Sequence, residues 1–180
     1  MHSINLKSIS IRTTLKPGDI GYVTYMHGDL YQREYGYGIG FEAYVAKGFY
    51  EFYEHYNPAL DGVWVAEHGE KVVGFLLLMH REPRVAQLRY FILDPAYRGI
   101  GLGKKLSQLY MDYLHEKGYQ KSYLWTTNEL LTAANIYHKM GFRLTSELPS
   151  ETFGKPLKEQ RYDIDLNIYS NDRTPLERNL

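Results

Sequence analysis

The chain has 180 residues, enough for one domain with a sizeable core, and 21 Lys+Arg balance 21 Asp+Glu. That balance argues against a dedicated nucleic-acid binder, whose affinity rests on clustered positive charge, and leaves only a local basic patch open. Cysteine is absent, which excludes disulfides, thiolate metal sites and a cysteine nucleophile, and fits a reducing compartment.

The N-terminal MHSINLKSIS lacks the apolar run of a signal peptide, and no stretch approaches the ~20 apolar residues of a membrane span. The expectation is a soluble, cytoplasmic protein with no membrane partner. SISIRTT (8–14) alternates like a strand, and Pro17-Gly18-Asp19 opens a helix that stops before Gly36-Tyr37-Gly38. A second helix is expected from about Phe41 to Tyr56. Its Phe41, Tyr44, Val45, Phe49, Phe52 and Tyr56 share one face, as ordinary core packing requires. Asn57-Pro58 ends it. Two strands follow, about 62–67 and 71–80, with a turn at His68-Gly69-Glu70; VAQLRYFIL (85–93) is a third, closed by Asp94-Pro95. Then come a glycine loop, a helix over about 101–117 stopped by Gly118, a strand at 121–127, and a helix at 130–140 stopped by Gly141. Strands at 142–147 and 159–166 close the pattern, and the polar tail from Ser170 is expected to fray. With a strand–helix–strand unit across 85–127, this predicts a single α/β domain, core about 8–167, with helices covering a mixed sheet.

YRGIGLGKKL (97–106) stands where a strand hands over to a helix. Such a loop offers unpaired backbone N–H groups at the positive end of the helix dipole, and glycine lets an anion approach the backbone. Arg98 and Lys104 add charge. The evenly spaced Gly99, Gly101 and Gly103 fail the G-x-G-x-x-G dinucleotide pattern, and Gly103-Lys104-Lys105 fails the Walker pattern. What remains is R-x-x-G-x-G, either a pyrophosphate cradle or a tight turn that needs glycine only for geometry.

VAQLRYFILDPAYRGIGLGKKL and LWTTNELLTAANIYHKMGFRL, the latter closing on Tyr137-x-x-x-Gly141-Phe142, resemble the central motifs of the GNAT superfamily of N-acetyltransferases. The early HGDLYQREYG and the closing FGKPLKEQRYDIDL extend a likeness to acetyltransferase domains often fused behind MarR-type regulators. The likeness covers roughly 10–167, and no separate DNA-binding domain is expected before the first strand, so the regulator function of the fused proteins is not expected here.

The resemblance implies a mostly antiparallel sheet whose two central parallel strands splay apart, flanked by helices. It implies acetyl-CoA as co-substrate, no metal, a primary amine on a small molecule or a peptide or protein as acceptor, and a homodimer as a common assembly. Main-chain groups near Phe91, Ile92 and Leu93 would pair with the pantetheine arm. Arg98, Gly99, Ile100, Gly101, Leu102, Gly103 and Lys104 would hold the pyrophosphate. Tyr137 matches the tyrosine that protonates the CoA sulfur; it also shares a face with Ala133, Ile136 and Met140, as a core tyrosine would. Asn128 is a candidate near the pantetheine, or a helix cap, and Asn135 is a second. Glu67, Glu34 and His27 are candidates for the general base. The rivals are a non-catalytic CoA-binding module and a nucleotide-phosphate enzyme that uses the same loop.

Overall fold

The computed structural model describes residues 4–167, so the expected frayed tail lies outside the described residues. Among the described residues, seven strands and four α-helices follow in the order β1 (Ser10–Arg12), α1 (Asp19–Tyr35), α2 (Ile39–His55), β2 (Gly62–His68), β3 (Lys71–Glu82), β4 (Val85–Leu93), α3 (Leu102–Glu116), β5 (Lys121–Thr127), α4 (Leu131–Met140), β6 (Arg143–Ser150) and β7 (Leu157–Asp165). The sheet order is β1-β2-β3-β4-β5-β7-β6. Among the described strands only β4 and β5 run parallel, joined by the α3 crossover.

Most expected boundaries hold to within two or three residues. The first strand is shorter than 8–14, because Leu6–Ser8 wind into a 3-10 turn capped by Asn5. β6 runs on to Ser150 and carries Pro149; β6 is the outer strand, where a missing N–H is tolerated. Tyr44, expected on the core face of α2, is 43% exposed. It stands at the margin of a cavity described below.

The centre of the sheet is buried on both faces, while β6 at its edge is largely exposed. Leu76, Leu78 and Leu124 pack with Leu102, Leu106, Tyr110 and Phe142 on the α3/α4 side. Phe75 and Leu77 pack with Val23, Leu30, Val45 and Phe49 on the α1/α2 side. That double burial explains why β3 reads as the unbroken apolar run FLLLM rather than as an alternation.

Two local events position everything that follows. The β4/β5 ladder stops after Gln87↔Tyr123, so the backbone of β4 beyond Gln87 has no strand beside it on that edge. On its other edge the register jumps from Leu77↔Arg89 to Phe75↔Ile92, a bulge in which Tyr90 adopts φ 56°. A bulge re-aims the strand. Leu88 stays with the α3/α4 core, while Tyr90 and Ile92 join the α1/α2 core.

Candidate active site

The parting of β4 and β5 opens two adjoining cavities. The larger, about 480 Å³, lies between α1, the second half of β4, the glycine loop and α4. The smaller, about 100 Å³, lies between α1, α2, β4, β5 and β7. Tyr31, Phe91, Leu130 and Tyr137 line both, so the cavities meet at these four side chains.

One end of the larger cavity is the glycine loop, with Arg98, Gly99, Gly101, Gly103 and Lys104 at its wall. Gly99 (φ 79°) and Gly101 (φ 91°) are left-handed, so the turn itself demands glycine there. Lys105 N–H closes the first helical turn onto the Gly101 carbonyl at 3.0 Å. The amides of Leu102, Gly103 and Lys104 are therefore the orphan donors of the helix start. Ile100 and Leu102 turn their side chains into the core, so their share in any ligand contact is main-chain only. Phe91, Ile92 and Leu93 form the adjoining wall, on the stretch of β4 that has no β5 partner.

Glu34 stands at this end and does not face the smaller cavity. Its two oxygens accept from Arg98 Nη1 at 2.8 Å and Nη2 at 3.2 Å. Glu34 thus stands apart from the smaller cavity, and it is the group that an anion bound to Arg98 would displace. Glu34→Gln is therefore expected to tighten coenzyme binding. The change should be about 2- to 5-fold, the range an exposed ion pair spans, and titration calorimetry would read it.

Tyr137 sits at the meeting point, 6% exposed, with its ring against Phe142 and Tyr162. Among the described residues its hydroxyl has no hydrogen-bond partner, and burial raises its pKa above the usual tyrosine value. It thus keeps its proton at neutral pH. Tyr31 beside it is raised in the same way, by burial first and by Tyr137 next.

His27 lines the smaller cavity and is 3% exposed. Its Nδ1 lies 2.8 Å from the Val23 carbonyl, the geometry of an Nδ1–H donor with Nε2 left as acceptor. Burial, helped by the nearby Arg89 charge and opposed by the bond to Val23, lowers its pKa to about 4. The unfolded chain protonates this histidine near the ordinary 6.5 and the folded chain does not. Its contribution to stability is therefore complete above pH 6.5 and is lost as pH falls towards 4, by about 3 kcal/mol at most. The thermal midpoint is expected to drop across that window, and to drop less in His27→Phe.

Three other candidates do not reach the site. Glu67 lines neither cavity; Arg12 holds its Oε1 from Nε (3.1 Å) and Nη2 (2.8 Å) while also binding Asp19, so it ties β1, β2 and α1 together. Asn128 exchanges bonds with β7, its N–H donating to the Lys158 carbonyl and its Oδ1 accepting from Lys158 N–H. The helix cap position belongs to Leu130 instead. Asn135 is exposed on the outer face of α4. Conversely, sequence reasoning passed over Arg89, Gln87 and Glu159, which line the smaller cavity. A charge inside VAQLRYFIL was the available signal for Arg89. Glu159 falls on the cavity face of β7 through its register with Thr127. No group of three or more potential metal-ligating side chains occurs among the described residues. Among them, too, no helix is long and apolar enough to cross a membrane.

The sequence model described as Acetyltransferase (GNAT) family matches residues 25–142, the stretch that carries β4, the glycine loop and Tyr137. The chain belongs to the GNAT acetyltransferase family. Similar GNAT relatives include the uncharacterized N-acetyltransferase YjgM of Escherichia coli (strain K12), 35% identical over 95 residues, covering 51% of this chain and 57% of the relative. N-acetyltransferase 8B of Homo sapiens is 34% identical over 90 residues, covering 47% and 39%. The chain thus spans about half the length of the curated relatives it matches. Among solved structures, yncA from Salmonella typhimurium with its cofactor acetyl-CoA superposes with TM-score 0.69 at 19% identity, over 88% of this chain and 94% of that one. Spermidine N-acetyltransferase from Vibrio cholerae, in complex with CoA and spermine, gives 0.67 at 21%, over 92% and 99%. At these identities the structural likeness establishes the fold.

Proposed function

We propose that this GNAT chain is an N-acetyltransferase that moves an acetyl group from acetyl-CoA to a primary amine by direct attack. The observation that carries the reading is the junction of the two cavities at Tyr137 and Phe91. A coenzyme in the larger cavity has its diphosphate on the amides of residues 102–104, with Arg98 and Lys104 beside them. Its pantetheine arm follows the free edge of β4 at Phe91–Leu93, and its thioester reaches the junction. The acceptor enters from the smaller cavity.

The neutral amine nitrogen attacks the thioester carbon, and a β4 backbone N–H steadies the charge that develops on the oxygen. The C–S bond then breaks. The Tyr137 hydroxyl gives its proton to the departing thiolate, and the amine loses one to His27 or Glu159, the candidate acceptors on the amine side. The acceptor is a small-molecule amine, or an amine on a peptide or protein whose end fits the smaller cavity.

Three finer readings travel with this one. The chain functions as a single domain with its core over about 8–167. The likeness of HGDLYQREYG and FGKPLKEQRYDIDL to acetyltransferase domains of MarR-fused proteins marks its subgroup. A cytoplasmic setting agrees with the use of acetyl-CoA and the absence of cysteine. The test is an acceptor screen with labelled acetyl-CoA, read both as free thiol and as acetylated product by mass spectrometry. Acceptor-dependent release is expected; coenzyme binding with no such release for any amine contradicts catalysis and favours the non-catalytic module.

A further inference from the structure

We infer that the amine acceptor is an amino acid, or a close analogue with a free carboxylate, and that Arg89 is the group that holds that carboxylate. The inference rests on the reading of the smaller cavity as the acceptor site. Arg89 lines this cavity in the middle of β4, half-buried. Among the described residues it forms no ion pair. Its guanidinium lies over the rings of Tyr44 at 5.5 Å and Tyr90 at 4.7 Å instead. Glu51, an acidic side chain on the same α2 helix, is taken by Arg81 at 2.7 Å.

A guanidinium drawn partly out of water gains from a counter-ion, and ring faces supply only part of that gain. The neighbourhood is short of acceptors in a second way. Tyr90 Oη is buried and has no hydrogen-bond partner. Both groups gather at Gly48 of α2, where an added Cβ would lie 1.9 Å from Tyr90 Oη and 2.8 Å from Arg89 Nη2. The bulge at Tyr90 is what brings two consecutive side chains of β4 to this one spot. Two residues that line the cavity thus carry donors with no acceptor of their own, Arg89 beside it and Tyr90 Oη buried behind it.

The rest of the cavity completes the match. Glu159 lines it and has no ion pair among the described residues, so a carboxylate faces the amine end of a zwitterion. Phe41, Trp125 and Phe153 supply an apolar wall for a side chain. A polyamine would set a second ammonium against Arg89, which disfavours that class.

The test measures binding to the CoA-loaded protein by calorimetry, so that it needs no turnover. The ligands are leucine, methionine and phenylalanine, their decarboxylated amines, and spermidine. At least one amino acid is expected to bind roughly 30-fold or more tighter than its decarboxylated amine. Arg89→Gln should bring that ratio close to 1, and Arg89→Lys should restore part of it. CoA binding and the thermal midpoint of each variant are followed as checks on folding. Equal binding of acid and amine, no binding of any acid, or an undiminished ratio in Arg89→Gln overturns the inference. Failure of the catalytic reading would show separately, as amino-acid binding without acceptor-dependent thiol release.

Discussion

Tyr137→Phe is expected to lower kcat for acetyl transfer by about 10²-fold or more, the range a positioned general acid supplies. The substitution removes one oxygen. That oxygen has no hydrogen-bond partner among the described residues, while the ring keeps its packing against Phe142 and Tyr162. Stability should therefore move by less than about 1 kcal/mol, and coenzyme affinity should stay near the parent value. Thiol-release kinetics beside a coenzyme titration separates the two effects. Loss of coenzyme binding in step with kcat would make Tyr137 a wall of the cavity and nothing more.

Gly103→Asp should abolish coenzyme binding at micromolar concentration while leaving the fold intact. Gly103 opens the first turn of α3, where a carboxylate favours the helix dipole. Its backbone is not left-handed, and an added Cβ meets only the end of the Leu93 side chain at 3.4 Å. The same carboxylate would stand beside the amides assigned to the diphosphate. Like charges about 4 Å apart at an effective dielectric of 20 repel by ~4 kcal/mol, so a loss of two to three orders in affinity is expected. Far-UV circular dichroism and thermal melting check the fold, and calorimetry checks the affinity. The variant separates an anion cradle from a turn that uses glycine for geometry, because the turn reading predicts unchanged coenzyme affinity.

What could be read from residues alone was local in origin. Asp94-Pro95, Gly118 and Gly141 stop their elements through backbone chemistry that each carries with it, so β4, α3 and α4 fell where expected. The glycine loop and Tyr137 lie inside one continuous stretch, and their neighbourhood followed from it. The candidates that the structure pairs off elsewhere are those whose partners are distant in sequence. Glu34 is claimed by Arg98, 64 positions away, and Glu67 by Arg12, 55 positions away. A carboxylate at a strand end or on a helix surface looks free until the pairing of β1 with β2, or the docking of α1 over the loop, supplies its counter-ion. Asn128 was lost to the register of β5 with β7, which no local pattern specifies. Arg89 was passed over for a related reason. Its strand read as buried, and only the bulge at Tyr90 and the departure of β5 reveal that the middle of β4 faces a cavity.

The most direct measurement of the central claim is a crystal structure of the chain with CoA bound. The diphosphate is expected within hydrogen-bonding distance of the Leu102, Gly103 and Lys104 amides, with Arg98 turned from Glu34 toward it. The sulfur is expected beside Tyr137. Density for the diphosphate anywhere else, or no binding at millimolar CoA, would contradict it.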